Sequence, residues 1–127
     1  MSIISISLND KILEEIDKIK DEMGFSGRSE VIRAGVRSLS AEFEEDKKLE
    51  GKIKSVLLMV HDESNEHEVS DIMHSFRDVV NTHIHTNLKG DKCLEIFVLD
   101  GDASRIKELI KLPKTNRKID YVKLIVP

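Results

Sequence analysis

Residues 83 to 97 read HIHTNLKGDKCLEIF, and three of their side chains could bind a metal. Imidazole and thiolate are good ligands for borderline divalent ions, so His83, His85 and Cys93 bring Ni²⁺, Co²⁺, Zn²⁺ or Cu²⁺ to mind first. Successive side chains of a strand alternate faces. His83, His85 and Asn87 therefore share one face of a strand, and Cys93, Glu95 and Phe97 share one face of the next. The stretch "LKGD" between them is a turn of hairpin type. Leu94, Ile96 and Val98 take the other face. We expect that apolar set beneath covering helices, which leaves the His/Asn/Cys set on the open face of the sheet. An H-x-H pair on an exposed strand is also ordinary surface, so spacing alone leaves a metal site and plain surface both open. Glu95 reads either as a hydrogen-bond partner for a ligand imidazole or as surface. His61 and His67 read as solvated surface.

The elements that must position this hairpin are legible from residue 51 onward. "KIKSVLLMVH" is a strongly apolar strand. "NEHEVSDIMHSF" is an amphipathic helix with Val69, Ile72, Met73 and Phe76 on one side. "DVVNTHIHTN" and "KCLEIFVLD" are the hairpin strands. "GDASRIKELIKL" is a second helix with Asp102 as its expected N-cap, and "IDYVKLIV" is a last strand. The order β-α-β-β-α-β is that of a ferredoxin-like unit.

Before residue 51 the texture differs. "SIISISLND" places Ser5 and Ser7 on one side of a short strand and Ile4, Ile6 and Leu8 on the other. Ile12, Leu13, Ile16, Ile19 and Met23 then recur at helical spacing. Gly24 sits where a left-handed C-terminal cap belongs. A second helix runs from about Arg28 into the forties, and "AEFEEDKKLEG" is its charged tail and a linker. We expect domains at 1–47 and 53–127 joined by a linker at 48–52. The fold class is α+β. One strand and two helices cannot bury their own apolar faces, whereas two copies could, by pairing strands into a ribbon of the kind that fits a DNA major groove. Ser5 and Ser7 would then face the bases, or serve only as the solvent side of an edge strand.

The net charge of −4 does not advertise a nucleic-acid binder. Residues 1–50 hold eight Lys/Arg against twelve Asp/Glu, so any DNA-binding surface there must be a local patch on an acidic body. A single cysteine excludes an internal disulfide framework and fits a reducing compartment. There is no leader of signal-peptide type and no apolar run of about eighteen residues, so we expect a cytoplasmic protein without membrane contact. No phosphate loop, Ser/His/Asp arrangement or paired carboxylates suggest an enzyme.

"GFSGRSEVIRAGVR" resembles the ribbon-helix-helix transcriptional regulators. Their signature between the two helices is met here by Gly24, Arg28, Ser29, Glu30, Ile32 and Arg33. The resemblance implies double-stranded DNA as partner, with the start of the second helix, Arg28 and Ser29, resting on a phosphate. It also implies base reading by the ribbon residues Ile3, Ser5 and Ser7. Members often carry Arg or another long polar residue where Ile3 stands, so base reading here is either weak or leans on van der Waals contact with thymine methyls.

The whole chain, such an arm followed by an ACT-type ferredoxin-like domain, looks like the nickel-responsive repressors. That resemblance implies a homotetramer that binds metal between its C-terminal domains and grips a two-part, inverted-repeat operator. The family's ligand pattern is met by His74, by His85 eleven residues on, and by Cys93 eight residues later, followed by Leu94 and Glu95. It implies that His74 reaches the others from a neighbouring subunit. At Asn87 the family has His, and His83 is the obvious substitute. Nickel is the ion the resemblance implies, with cobalt, zinc and copper beside it. Two other readings follow from the same residues: a regulator whose ACT-like domain senses an amino acid or other small molecule, and a metal-binding protein without DNA-binding function.

Overall fold

A computed structural model describes all residues, Met1–Pro127. The chain forms two compact units, Met1–Lys47 and Lys48–Pro127.

In the first unit, residues 1–9 adopt no regular secondary structure, because a lone ribbon strand has no partner within one chain. Helix α1 spans Asp10–Met23. Its start is fixed by Asn9, whose side chain accepts the Ile12 amide at 2.9 Å and so satisfies one orphan donor. Its end is fixed by Gly24, at φ 78°, which returns its amide to the Lys20 carbonyl. Helix α2 spans Arg28–Lys47. Only Ile16 and Val31 are buried in this unit, while Ile12, Ile19, Met23, Val36 and Leu39 stay exposed. One chain therefore carries an uncovered apolar stripe along both helices, the condition that pairing with a second copy would relieve.

The second unit contains β1 Lys52–Asp62, α3 Glu66–Ser75, β2 Val80–Leu88, β3 Lys92–Asp102, α4 Ala103–Lys114 and β4 Ile119–Ile125. The strands form one antiparallel sheet in the order β2-β3-β1-β4. Helices α3 and α4 cover one face of it. Leu57 and Met59 of β1 and Phe97 and Leu99 of β3 pack there with Val69, Met73 and Phe76 of the α3 region and Ile106, Leu109 and Ile110 of α4. Arg105 ties the two helices together. Its guanidinium lies 4.1 Å from the Phe76 ring centroid and donates to the Ser75 carbonyl at 2.7 Å and to Asp78 at 2.9 Å. Asp102 is the residue before α4, as expected, but its side chain makes no capping bond.

The face assignment of β3 is the reverse of the expected one. Cys93, Glu95, Phe97 and Leu99 lie under the helices, and Leu94, Ile96 and Val98 line the open face, half-buried beside Val56, Leu58 and Val60. The physical reason is that β3 is apolar on both sides, so alternation alone could not choose. The pair Phe97 and Leu99 outweighs the polar Glu95 that shares its side.

A second register feature decides where the histidines go. Val80 pairs with Leu99, yet Thr82 pairs with Val98, so Asn81 is one residue in excess. This β-bulge inverts the facing of everything after it. Through it His83 stands opposite Phe97, His85 opposite Glu95 and Asn87 opposite Cys93, all on the helix-covered side. The hairpin then closes through Gly90 at φ 74° and Asp91 at φ 58°. Glycine enters that left-handed region without penalty and Asp is among the few residues that tolerate it.

Candidate metal centre

The helix-covered face changes character along its length. At one end it is core, with Leu57, Phe97 and His83 in a row across β1, β3 and β2. The next row is Met59, Glu95 and His85, and the last is His61, Cys93 and Asn87. Three imidazoles, a thiol, an amide and a carboxylate thus share the end of the sheet over which the first turn of α3 begins.

Glu95 is the hub of this group and is only 2% exposed. Its Oε1 lies 3.3 Å from His61 Nε2 and 3.8 Å from His85 Nε2, and its Oε2 is bonded by His83 Nε2. The His83 ring also stacks on Phe97, with centroids 4.4 Å apart. On its other side His85 Nδ1 stands 3.6 Å from Glu66 Oε1. One ligand atom each from Glu66, His85 and Glu95 falls within 4.8 Å of the others. Cys93 is fully buried and its Sγ donates to Asn87 Oδ1 at 3.7 Å. Burial first, and then the negative charges of Glu63, Glu66 and Glu95, push the Cys93 thiol above its ordinary pKa.

His74 lies on the exposed side of α3 and its Nδ1 accepts from Arg77. It lines a cavity of about 290 Å³ together with Glu66, Met73, Arg77, His83 and Glu95. Within one chain, then, His83, His85, Asn87 and Cys93 share a face, and His74 borders the same hollow without joining the group that closes on His85.

Two participants escaped the sequence reading. His61, read there as surface, is fully buried, because it continues the Leu57, Met59 alternation onto the covered face. That alternation was the available signal. Its Nδ1 donates to the Asp62 carbonyl at 2.7 Å, which directs Nε2 at Glu95. Glu66 has no sequence signal; only the fold brings the start of α3 over β2. His67 is on the surface as expected, with its Nε2 3.4 Å from Asp71.

The arrangement can hold a cation. Nitrogen, sulfur and carboxylate oxygen together suit a borderline divalent ion, and the buried Glu95 charge fits a partner of opposite sign. The donor chemistry therefore fits a metal of the nickel class. At Ile3, Ser5, Ser7 and Ser29 the structure places exposed or half-exposed side chains. Arg28 is held by Asp17 through two bonds, Nε at 2.8 Å and a second nitrogen at 3.0 Å, and Arg33 by Glu30. The Asp17 partner keeps the Arg28 pKa above its ordinary value.

Residues 55–126 match the family described as the NikR C terminal nickel binding domain, and residues 2–42 match the ribbon-helix-helix, copG family. The chain belongs to the nickel-responsive regulators. Such a regulator is a DNA-binding transcription factor and not an enzyme. A relative from Halobacterium salinarum, named as a nickel-responsive regulator, is 36% identical over 95% of this chain and 89% of its own length. Relatives so named from Haloarcula marismortui and Methanococcus maripaludis are 35% and 33% identical over 95% and 99% of this chain, and over 91% and 92% of their own. Among solved structures, an uncharacterised protein from Thermotoga maritima superposes with a TM-score of 0.55 at 16% identity. It covers 60% of this chain and 98% of its own, a likeness of fold alone. No helix of the regulator is long and apolar enough to cross a membrane.

Proposed function

We propose that this regulator binds a transition metal, nickel by kinship, in its C-terminal unit, and that the bound ion changes how its N-terminal unit holds an operator. His85 and Cys93 anchor the ion from adjacent strands. His74 of a neighbouring copy joins them, with His83 the nearest further imidazole. When bound, the ion supplies a point of strong charge around which side chains from more than one strand must gather. The observation that carries this reading is the row of His83, His85 and Asn87 facing Cys93 and Glu95 on one side of one hairpin.

The chain's own residues do the rest. The uncovered apolar stripe of α1 and α2 supports pairing of two copies, which would complete the ribbon and set Ser5, Ser7 and Ile3 toward the major groove. The N-terminus of α2, with Ser29 and Arg28, offers amides and charge to a phosphate. The half-buried apolar face of the sheet supports contact between C-terminal units, and hence a homotetramer with two ribbons. Two ribbons on one duplex suit a two-part inverted repeat, the second contact gaining from effective concentration. An ion alters this equilibrium only by binding one arrangement better than another. We read the protein as a cytoplasmic repressor.

The test is operator binding by the full chain, measured with Ni²⁺, with Co²⁺, Zn²⁺ or Cu²⁺, and with chelator. A metal-dependent change in affinity for the protein's own promoter supports the reading. Affinity that no transition metal alters removes the sensing role.

A further inference from the structure

Asn87 stands where the family pattern has an imidazole, and its amide oxygen is a weak ligand already engaged by the Cys93 thiol at 3.7 Å. The structure shows what else is close to His85. Glu66 Oε1 is 3.6 Å from one ring nitrogen and Glu95 Oε1 is 3.8 Å from the other, and the three residues offer atoms within 4.8 Å of one another. Two ligand atoms about 2.1 Å from one ion lie ~3.0 Å apart at right angles and ~3.4 Å apart in a tetrahedron. An ion takes only one of the two ring nitrogens, so one carboxylate must come round the ring, and closing atoms that lie within 4.8 Å of one another asks for a movement of up to roughly 1.4–1.8 Å, for which the half-exposed Glu66 side chain has room.

We propose that Glu66 and Glu95 enter the coordination shell of the ion on His85, filling the position that Asn87 leaves weak. The shell is then mixed nitrogen, oxygen and sulfur, in place of three nitrogens and one sulfur. Two carboxylates alone balance the charge of a dication and the Cys93 thiolate leaves the shell with one negative charge in excess, while the ion compensates the carboxylate of Glu95, which is otherwise buried among imidazoles. His61 and His83 are positioning residues. His61, fixed by its bond to the Asp62 carbonyl at 2.7 Å, aims Nε2 at one Glu95 oxygen, and His83 holds the other. Such outer partners keep a ligand oriented. Carboxylate oxygen is a weak-field donor, so Ni²⁺ held by Glu66, Glu95 and His85 would be high-spin and paramagnetic.

This inference rests on the reading that His85 anchors the metal, and the experiment separates the two. The full chain and the variants Glu66→Gln, Glu95→Gln, Glu63→Gln and Cys93→Ser are titrated with Ni²⁺ against a competing chelator, and proton NMR of each loaded protein is recorded. We expect paramagnetically shifted imidazole protons and a loss of affinity of at least about tenfold in Glu66→Gln and Glu95→Gln. Glu63→Gln, which removes a nearby charge without touching His85, should stay within about twofold. Because Glu95 is buried, its variant can fail to fold; Glu66 is exposed enough to decide the matter alone. A diamagnetic ion, or unchanged affinity in Glu66→Gln, overturns the carboxylate shell. If an intense thiolate band that vanishes in Cys93→Ser accompanies either result, the metal reading stands without it. Absence of Ni²⁺ binding by the parent protein overturns both.

Discussion

Replacing Gly101 with Ala should destabilise the C-terminal unit, and the size of the effect follows from one contact. A Cβ at Gly101 would lie 2.6 Å from Val79 Cγ1 and 3.4 Å from Val79 Cβ. Carbon atoms in comfortable contact are about 3.5–4.0 Å apart, so a methyl must give by about 1 Å. Val79 is 4% exposed, belongs to the core and is β-branched, so it has little rotamer freedom to yield. Overpacking of this kind costs about 1–3 kcal/mol. The opposing gain from a stiffer unfolded chain is about 0.4–1 kcal/mol, so the clash wins. A net loss of about 1–2 kcal/mol corresponds to a fall in Tm of roughly 4–16 °C for a unit of this size. Calorimetry of the metal-free full chain at fixed concentration reads it. Val79→Ala alone leaves a cavity and should cost about 1–3 kcal/mol. In that background Gly101→Ala should be neutral or stabilising, because the obstructing methyl has gone. A Gly101→Ala protein that melts with the parent, or one that loses the same amount with and without Val79, refutes the reasoning.

Other outcomes follow from exposed charges and the open face. Bonds from Arg105 hold the Asp78 carboxyl below its ordinary range, so its contribution to stability is present above about pH 4 and disappears as pH falls through the lowered value. The difference in Tm between the parent and Asp78→Asn should therefore shrink between pH 6 and pH 3; a constant difference contradicts this. Arg28→Ala should weaken operator binding and lower the slope of log K against log salt by about one, whereas Asp17→Asn, which releases Arg28, should tighten binding. An unchanged slope would confine Arg28 to its ion pair. Ile96→Glu, on the half-buried open face, should reduce the mass of the assembly in light scattering, and an unchanged mass would show that this face is not a contact between copies.

Element order was readable because α3 and α4 repeat their apolar residues at helical spacing, while β1, β3 and β4 are short apolar-rich runs bounded by polar or turn residues. Asn9 and Gly24 act as the caps their types suggest. What could not be read was which way β3 faces, since Leu94, Ile96 and Val98 rival Cys93, Phe97 and Leu99 in hydrophobicity. The bulge at Asn81 was also invisible, since an excess residue shows only when two strands are paired. The association of His83, His85, Asn87 and Cys93 on one side survived because all were placed relative to one another. Their common location did not, and with it went the chance to see His61 and Glu66 as neighbours. The first nine residues form no strand because nothing within one chain pairs with them.

The surplus residue at Asn81 has an evolutionary corollary. Removing that one codon would leave every later pair in place, since Val80 would still meet Leu99, Thr82 would meet Val98 and His83 would meet Phe97, now without a break. The imidazoles would keep their side. Relatives that lack the extra residue should accordingly keep the ion. A change of one residue between His85 and Cys93 is different, because it slides the two strands past each other and turns the imidazoles out toward water. Counting that spacing is a cheaper guide to metal dependence than matching the motif.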